Sequence, residues 1–340
     1  MSTDDRLHRF SRPMLTALEN VLQESVHAHI RPPELARMVA YHMGWEGLGA
    51  GPQARGKRVR PLLTLLTAQA SGGDWRVALP AAAAVEFIHN FSLLHDDIQD
   101  QSRLRRGRPT VWHLWGVAQA INAGDALFAL AFRVLSEQPV GPASWPQGPT
   151  SLLATACLHL TQGQYLDLAY EGRTDLTEDA YWPMIEGKTA ALLETAVALG
   201  AYAAGLDPTA ARPYRDFGRA LGLAFQVWDD YLGIWGDPAR TGKSTAGDLV
   251  ARKNSLPVRY GLAHPHSAFA RRWRQGPISE DEAPTLAAQL EALGARQYTR
   301  QQAEQWTTRA LSALAQAPVR DAHAHAALQA LAERLLRRAA

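Results

Sequence analysis

Nowhere along the 340 residues do Val, Ile and Thr alternate with polar positions at a sustained period of two, so the pattern predicts no strands. Ala, Leu, Glu, Gln and Arg dominate instead, in apolar-polar blocks of helical length. These blocks predict helices over 11–30, 57–70, 77–99, 116–136, 151–169, 177–204, 210–234, 245–262, 279–293, 299–316 and 319–338. Ser11 is placed to cap the first with Pro13 in its first turn, and Pro32-Pro33 stops it and seeds the next. The breaks at 71–73, 139–149, 236–242 and 264–277 are rich in Gly, Pro or polar residues, and none is long enough for an interdomain linker. The expectation is an all-α chain forming one domain over 1–340, with its motifs in a core of about 50–262, C-terminal helices over about 279–338, and a bundle around a central cavity.

Composition narrows the classes of function. With 46% hydrophobic residues the chain can bury one large core. Its 35 Lys plus Arg against 33 Asp plus Glu leave a net charge of +2, too little for wholesale binding to nucleic acid or an acidic membrane, so an anionic ligand must be met by local clusters. Cys157, the single cysteine, excludes an internal disulfide and a cysteine-based zinc cage. The start, with Asp4, Asp5 and Arg6, lacks the apolar stretch of a signal peptide, which makes the cytoplasm the default location. The Ala-rich stretch 189–206 is broken by Glu194 and reads as a buried helix, not a bilayer span.

Candidate chemistry begins at Asp96-Asp97-Ile98-Gln99-Asp100, which ends a long apolar helix. On a helix, Asp96 and Asp100 share a face at i and i+4 and can converge on a hard cation such as Mg²⁺; alone, such a triplet is more often a solvated helix end. A second pair, Asp229-Asp230, follows the run Leu223-Ala224-Phe225-Gln226-Val227-Trp228, where buried charge demands a cation; two facing helices lining a pocket and two separate surface patches both fit. Lys57-Arg58-Val59-Arg60, Arg105-Arg106, Lys243 and Lys253 accompany these carboxylates, a mixture suited to a ligand with several negative charges. The P-loop-like stretch 236–244 has the wrong spacing and no preceding strand, and the histidine pairs 27/29, 264/266 and 323/325 are spaced by two, which separates them on a helix.

Several motifs in order resemble the trans-type isoprenyl diphosphate synthases, or polyprenyl synthetases, from about Gly56 to Tyr260. Gly56-Lys57-Arg58-Val59-Arg60-Pro61 looks like the first basic motif, Leu94 to Asp100 the first aspartate-rich motif, and Arg105-Arg106-Gly107-Arg108-Pro109-Thr110 the basic stretch after it. Gly163-Gln164-Tyr165-Leu166-Asp167-Leu168, Lys188-Thr189, Phe225-Gln226 with Asp229-Asp230, Thr241-Gly242-Lys243 and Lys253 continue the series. The resemblance implies an isoprenoid-synthase-type helical bundle and a Mg²⁺-dependent prenyltransferase joining isopentenyl diphosphate to an allylic diphosphate, with up to three ions. By the same resemblance Asp96, Asp100 and Asp229 hold metal, with Asp97 and Asp230 beside them. Arg105, Lys188, Lys243 and Lys253 neutralise the allylic diphosphate, Lys57, Arg60, His89 and Arg106 hold that of isopentenyl diphosphate, and Thr189 and Gln226 face the carbocation. A homodimer is the family's usual state.

One position departs from the family pattern: Gly233 stands where many members have a third aspartate, which puts an outer carboxylate of the second motif in doubt. Phe91 resembles the floor that limits product length; with the small Ser92 beside it and no insertion in the aspartate motif, the chain looks like a geranylgeranyl (C20) synthase, with a farnesyl (C15) synthase as the alternative. A class I terpene cyclase would not need the second diphosphate site that Lys57, Arg60 and His89 suggest, and a non-catalytic subunit of a heteromeric synthase would exploit the missing carboxylate at Gly233.

Overall fold

The computed structural model describes residues 3–138, 144–237 and 246–337. Among them the only strands are the two-residue pair Leu104–Arg105 and Arg108–Pro109; the rest is helix and short connections. The all-α expectation holds. Residues cluster into two compact units, each gathered from three stretches: Met1–Ala154, Thr195–Tyr214 and Ala317–Leu331 in the first, and Thr155–Glu194, Arg215–Gln316 and Ala332–Ala340 in the second.

In the first unit, helix α1 (Thr3–His29) begins well before the predicted Ser11 cap. Its buried stripe Leu7, Met14, Leu18, Leu22 and Val26 carries the helix through, and Ser11 Oγ turns back on the His8 carbonyl instead of capping. Helix α2 (Pro33–His42) starts on Pro33 with Pro32 extended before it, as the Pro-Pro pair predicts. After α3 (Pro52–Arg55) and α4 (Val59–Ala70), a 3-10 turn (Trp75–Ala78) leads into α5 (Leu79–Gln99). Ala81 to Ala84, Val85, Phe87 and Ile88 of α5 are fully buried, and it packs on α1, α4 and α7 (Val117–Leu135). The span Trp75–Gln99 is long and apolar enough to cross a membrane by composition. Most of it is buried in the protein, Glu86 within it pairs with Arg58, and it ends in aspartates, so it is a core helix. This helix, and not the stretch 189–206, is the span-like one.

The short helix α6 (Val111–Trp115) precedes α7 and has no counterpart in the sequence reading. Helix α8 (Pro149–Tyr170) matches the predicted 151–169. The predicted continuous helix over 177–204 is instead a 3-10 turn (Glu178–Ala180), α9 (Tyr181–Ile185), a π turn (Glu186–Ala190) and α10 (Ala191–Ala203). Helix α11 (Pro208–Trp235) holds Asp229 and Asp230 near its end. The predicted helix 245–262 splits into α12 (Gly247–Val250) and α13 (Leu256–Leu262), with Arg252 left-handed between them (φ 53°). Inside the predicted break 264–277 lies α14 (Ala268–Arg274), capped where Ala270 N–H donates to Ser267 Oγ at 3.0 Å. With α15 (Ala283–Ala292) and α16 (Ala295–Ala315), it closes a core of Ile234, Leu249, Phe269, Trp273 and Leu290 in the second unit. Helix α17 (Ala322–Arg337) ends the described chain.

Candidate active site

In the first unit the Asp-rich end of α5 is followed at once by a chain reversal. The Asp100 N–H still bonds to the Asp96 carbonyl at 2.9 Å, Gln101 turns left-handed (φ 52°), and the Ser102 N–H caps the Asp97 carbonyl at 2.9 Å. The strand pair then folds over Arg106 and Gly107, both at positive φ (53° and 75°), the geometry of a tight two-residue hairpin turn. That hairpin brings Arg105 back onto the aspartates: Nε donates to Asp97 Oδ1 at 2.8 Å and Nη2 to Asp96 Oδ2 at 3.4 Å. Asp97 is buried, and burial, helped by the charges of Asp96 and Asp100, pushes its carboxyl up to about 6 against the pull of Arg105.

The basic residues around this end divide by role. Arg58 is buried between Glu19 (2.8 Å) and Glu86 (2.7 Å), and Arg108 donates to the carbonyls of Leu48, Tyr41 and Glu46 at 2.7–2.9 Å while stacking on the Tyr41 ring; both hold the fold. Arg60 and Arg106 form a separate cationic pair with His89 beside them. Arg60 Nη1 lies 3.3 Å from His89 Nε2, so that nitrogen accepts and the ring is neutral. Burial first, then Arg60, Arg106, Arg105 and Arg58, holds His89 well below the ordinary imidazole range. Arg106 donates to the Ala54 carbonyl at 2.7 Å and lies over Gly56, where a Cβ would stand 2.5 Å from its Nη2 and the backbone is at φ 76°. Two buried nitrogens here, Arg60 Nε and His42 Nε2, have no hydrogen-bond partner. Burial and the arginines 105, 106, 58 and 108 pull His42 down to about 3. The orphaned Arg60 donor, with Arg106 nearby, suits an anion with several oxygens. Lys57 is exposed just before α4. Phe91 is half-buried against Phe128 (ring centres 5.1 Å apart), and the Ser92 hydroxyl donates to the His89 carbonyl at 2.8 Å.

In the second unit, glycines set the site. A Cβ at Gly163 would overlap the Lys188 backbone nitrogen, and one at Gly187 would stand 2.5 Å from the His159 carbonyl, so α8 and the π turn approach through two bare backbones. The π turn delivers Lys188 to Asp167 (Nζ to Oδ2, 2.5 Å) and Thr189 to Gln226, whose Oε1 accepts the threonine hydroxyl at 2.7 Å. Gln226 Nε2 then donates to Asp230 Oδ1 at 3.0 Å, while Asp230 Oδ2 accepts from Tyr181 (2.8 Å) and from the Leu256 N–H that opens α13 (2.9 Å). Burial pushes Asp230 up to about 7 even though these donors favour its charged form. Asp230 is thus consumed in fastening three elements together. Asp229 faces an open pocket of about 410 Å³ shared with Lys188, Gln226, Lys253 and Asp248. Lys243 lies outside the described residues.

The family's sequence profile, polyprenyl synthetase, matches residues 49–289. The chain belongs to the polyprenyl synthetase family. This polyprenyl synthetase is 38% identical over 350 residues to a (2E,6E)-farnesyl diphosphate synthase of Mycobacterium tuberculosis, covering 99% of this chain and 96% of that one. It is 44% identical over 243 residues to a geranylgeranyl diphosphate synthase of the same species, covering 70% and 67%. A solved polyprenyl synthase from Caulobacter crescentus, complexed with calcium and isoprenyl diphosphate, aligns over 100% of this chain and 98% of that one with a TM-score of 0.85 at 31% identity. The chain is therefore a short-chain prenyl diphosphate synthase, a prenyltransferase.

Of the site residues expected from sequence, the structure gathers Asp96, Asp97, Arg105, Arg106, Arg60 and His89 within one unit, and Lys188, Thr189, Gln226, Asp229, Asp230 and Lys253 within the other. It adds His42, Tyr181, Asp248 and Ser255, none of which carries a local signal, and gives Asp167 a partner.

Proposed function

We propose that this polyprenyl synthetase condenses isopentenyl diphosphate with an allylic diphosphate, chiefly to C20 geranylgeranyl diphosphate, using up to three Mg²⁺ ions. The observation that carries the reading is the pair of arginines Arg60 and Arg106 with neutral His89, where the buried Arg60 Nε has no hydrogen-bond partner. It is a second diphosphate site that a one-substrate cyclase would not need. Lys57 joins this set to hold isopentenyl diphosphate.

Among the described residues no three His, Cys, Asp or Glu side chains gather closely enough to hold an ion by themselves. That suits Mg²⁺, which is usually held by one or two carboxylates together with substrate phosphates and water. Asp96 and Asp100 are carboxylates that would hold such an ion in the first unit, Asp229 is one that would do so in the second, and a bound metal would stabilise a departing diphosphate. Arg105, Lys188, Lys253 and Lys243 neutralise the remaining phosphate charge. The allylic carbon–oxygen bond breaks with its electron pair leaving on diphosphate. The isopentenyl double bond then forms the new carbon–carbon bond, and a proton passes to the departed diphosphate. Thr189 gives its hydroxyl hydrogen to Gln226, which leaves the hydroxyl oxygen's lone pairs to face the carbocation.

Phe91, backed by Phe128, is the floor of the product tunnel, and the small Ser92, folded onto its own helix, supports a C20 product; the bulk of the Phe91–Phe128 pair favours C15 as the second reading. Nothing in either unit favours a non-catalytic subunit. The enzyme works as one domain in the cytoplasm and as a homodimer, for which the exposed Val117, Ile121 and Phe128 on α7 provide an apolar face. Incubation with Mg²⁺, labelled isopentenyl diphosphate and dimethylallyl, geranyl or farnesyl diphosphate should give a linear C20 alcohol after dephosphorylation. A C15 end product would keep the reaction and move the floor, and no incorporation with any primer would contradict the reading.

A further inference from the structure

Position 233 carries no side chain, and a carboxylate from elsewhere fills its place. A Cβ built on Gly233 would overlap Oδ2 and Cγ of Asp248, so that carboxylate rests against the bare backbone of α11. Gly233 is four residues beyond Asp229, on the same face of the helix. Asp248 stands in the first turn of α12, positioned by the left-handed Ala246 (φ 55°) before it and by the Lys253 N–H closing on its own carbonyl at 3.0 Å. Its side chain lines the pocket of Asp229, Lys188 and Lys253.

A second observation points to a ligand there. Ser255, only 5% exposed, also lines this pocket, and its hydroxyl oxygen has no hydrogen-bond partner. It occupies the N-cap position of α13 without using its side chain as a cap. A buried hydroxyl left unpaired costs about 1–3 kcal/mol, and in a wall of carboxylates and lysines the partner it lacks is a polar ligand.

We propose that Asp248 supplies the third carboxylate of this metal-binding end, through space, in the position that Gly233 leaves open, and that with Ser255 it secures the Mg²⁺-diphosphate group at Asp229. The inference rests on the proposed prenyl transfer. It makes Gly233 a requirement: any side chain there must push the Asp248 carboxylate out of the pocket. The atoms displaced are the end of a side chain, so the fold tolerates the change while the site does not.

The test is calorimetric titration of the full chain with inorganic diphosphate at a series of Mg²⁺ concentrations, with thermal melts as folding control. D248N and G233A should each raise the half-saturating Mg²⁺ concentration about 10-fold or more, their double variant no further, and S255A should weaken diphosphate binding at saturating Mg²⁺. Returning a carboxylate to α11, as G233D in a D248A background, should recover most of the loss. D248N and G233A that fold and bind at the wild-type Mg²⁺ concentration would overturn this inference alone. Wild-type protein that binds no diphosphate at any Mg²⁺ concentration would overturn the prenyl-transfer reading with it.

Discussion

The aspartates that end α5 and those near the end of α11 each include one carboxylate fastened by the protein, and the two fastenings differ in charge. Asp97 is held by a guanidinium, Arg105 at 2.8 Å, whereas Asp230 is held by three neutral donors, Tyr181, Gln226 and the Leu256 N–H, at 2.8–3.0 Å. Burial pushes both carboxyls up, Asp97 to about 6 against the pull of Arg105 and Asp230 to about 7 against its neutral donors. The charged lock keeps an arginine beside Asp96, the proposed metal ligand. The neutral lock instead strings Thr189, Gln226, Asp230 and Tyr181 into one chain, so the groups assigned to the carbocation are positioned by the residue next to the assigned metal ligand.

The sharpest way to separate fastener from ligand is to compare neighbours. Asp229→Asn should cost about 10²–10³-fold in turnover, the loss expected for one preorganised electrostatic contact, with an unchanged melting temperature. Asp230→Asn should instead lower stability by about 1–3 kcal/mol in denaturant melts, because its donors lose an acceptor in a buried site. The charged lock should fail by a similar but smaller amount: Arg105→Met, at a position partly open to solvent, should destabilise by about 1–2 kcal/mol. Melts of this variant should show the loss shrinking once Asp97 is protonated.

A smaller effect is the pH dependence of stability. Asp97 and Asp230 are raised above their ordinary 3.8, so their contribution is complete below about pH 4 and is lost as pH rises through 6 and then 7. His42, lowered from 6.5 to about 3, and His89, lowered well below 6.5, act oppositely, their contribution growing up to about pH 6.5. In the wild type these slopes oppose each other. Asp230→Asn should unmask the histidines as a melting temperature that climbs more steeply between pH 4 and 7. Smallest in rate, Phe91→Ala should leave turnover near wild type and lengthen the product by at least one five-carbon unit, read by chromatography of the alcohols.

Much of the fold was legible because Leu-rich and Ala-rich stripes repeat at helical spacing and Pro32-Pro33 punctuates them. The failures have local causes. The π turn at Glu186–Ala190 interrupts a helix-forming run at the place where Gly163 and Gly187 let α8 approach through bare backbone. α13 starts at Leu256 because its N–H meets Asp230, a partner 26 residues away. In the site, the aspartate and basic motifs announced themselves by type and order. Their division of labour did not: Arg58 and Arg60 sit in one motif, yet burial between Glu19 and Glu86 makes the first structural, while the second joins His89. Asp248 was invisible for the same reason, since only the packing shows that it rests on Gly233.

The proposed role of Asp96 and of Asp229 is metal-assisted condensation. It is tested most directly by Mg²⁺-dependent incorporation of labelled isopentenyl diphosphate into a farnesyl diphosphate primer by the wild type, Asp96→Asn and Asp229→Asn. Chelation should abolish incorporation, and each variant should lose about 10²–10³-fold at saturating Mg²⁺. Wild-type turnover in either variant would contradict it.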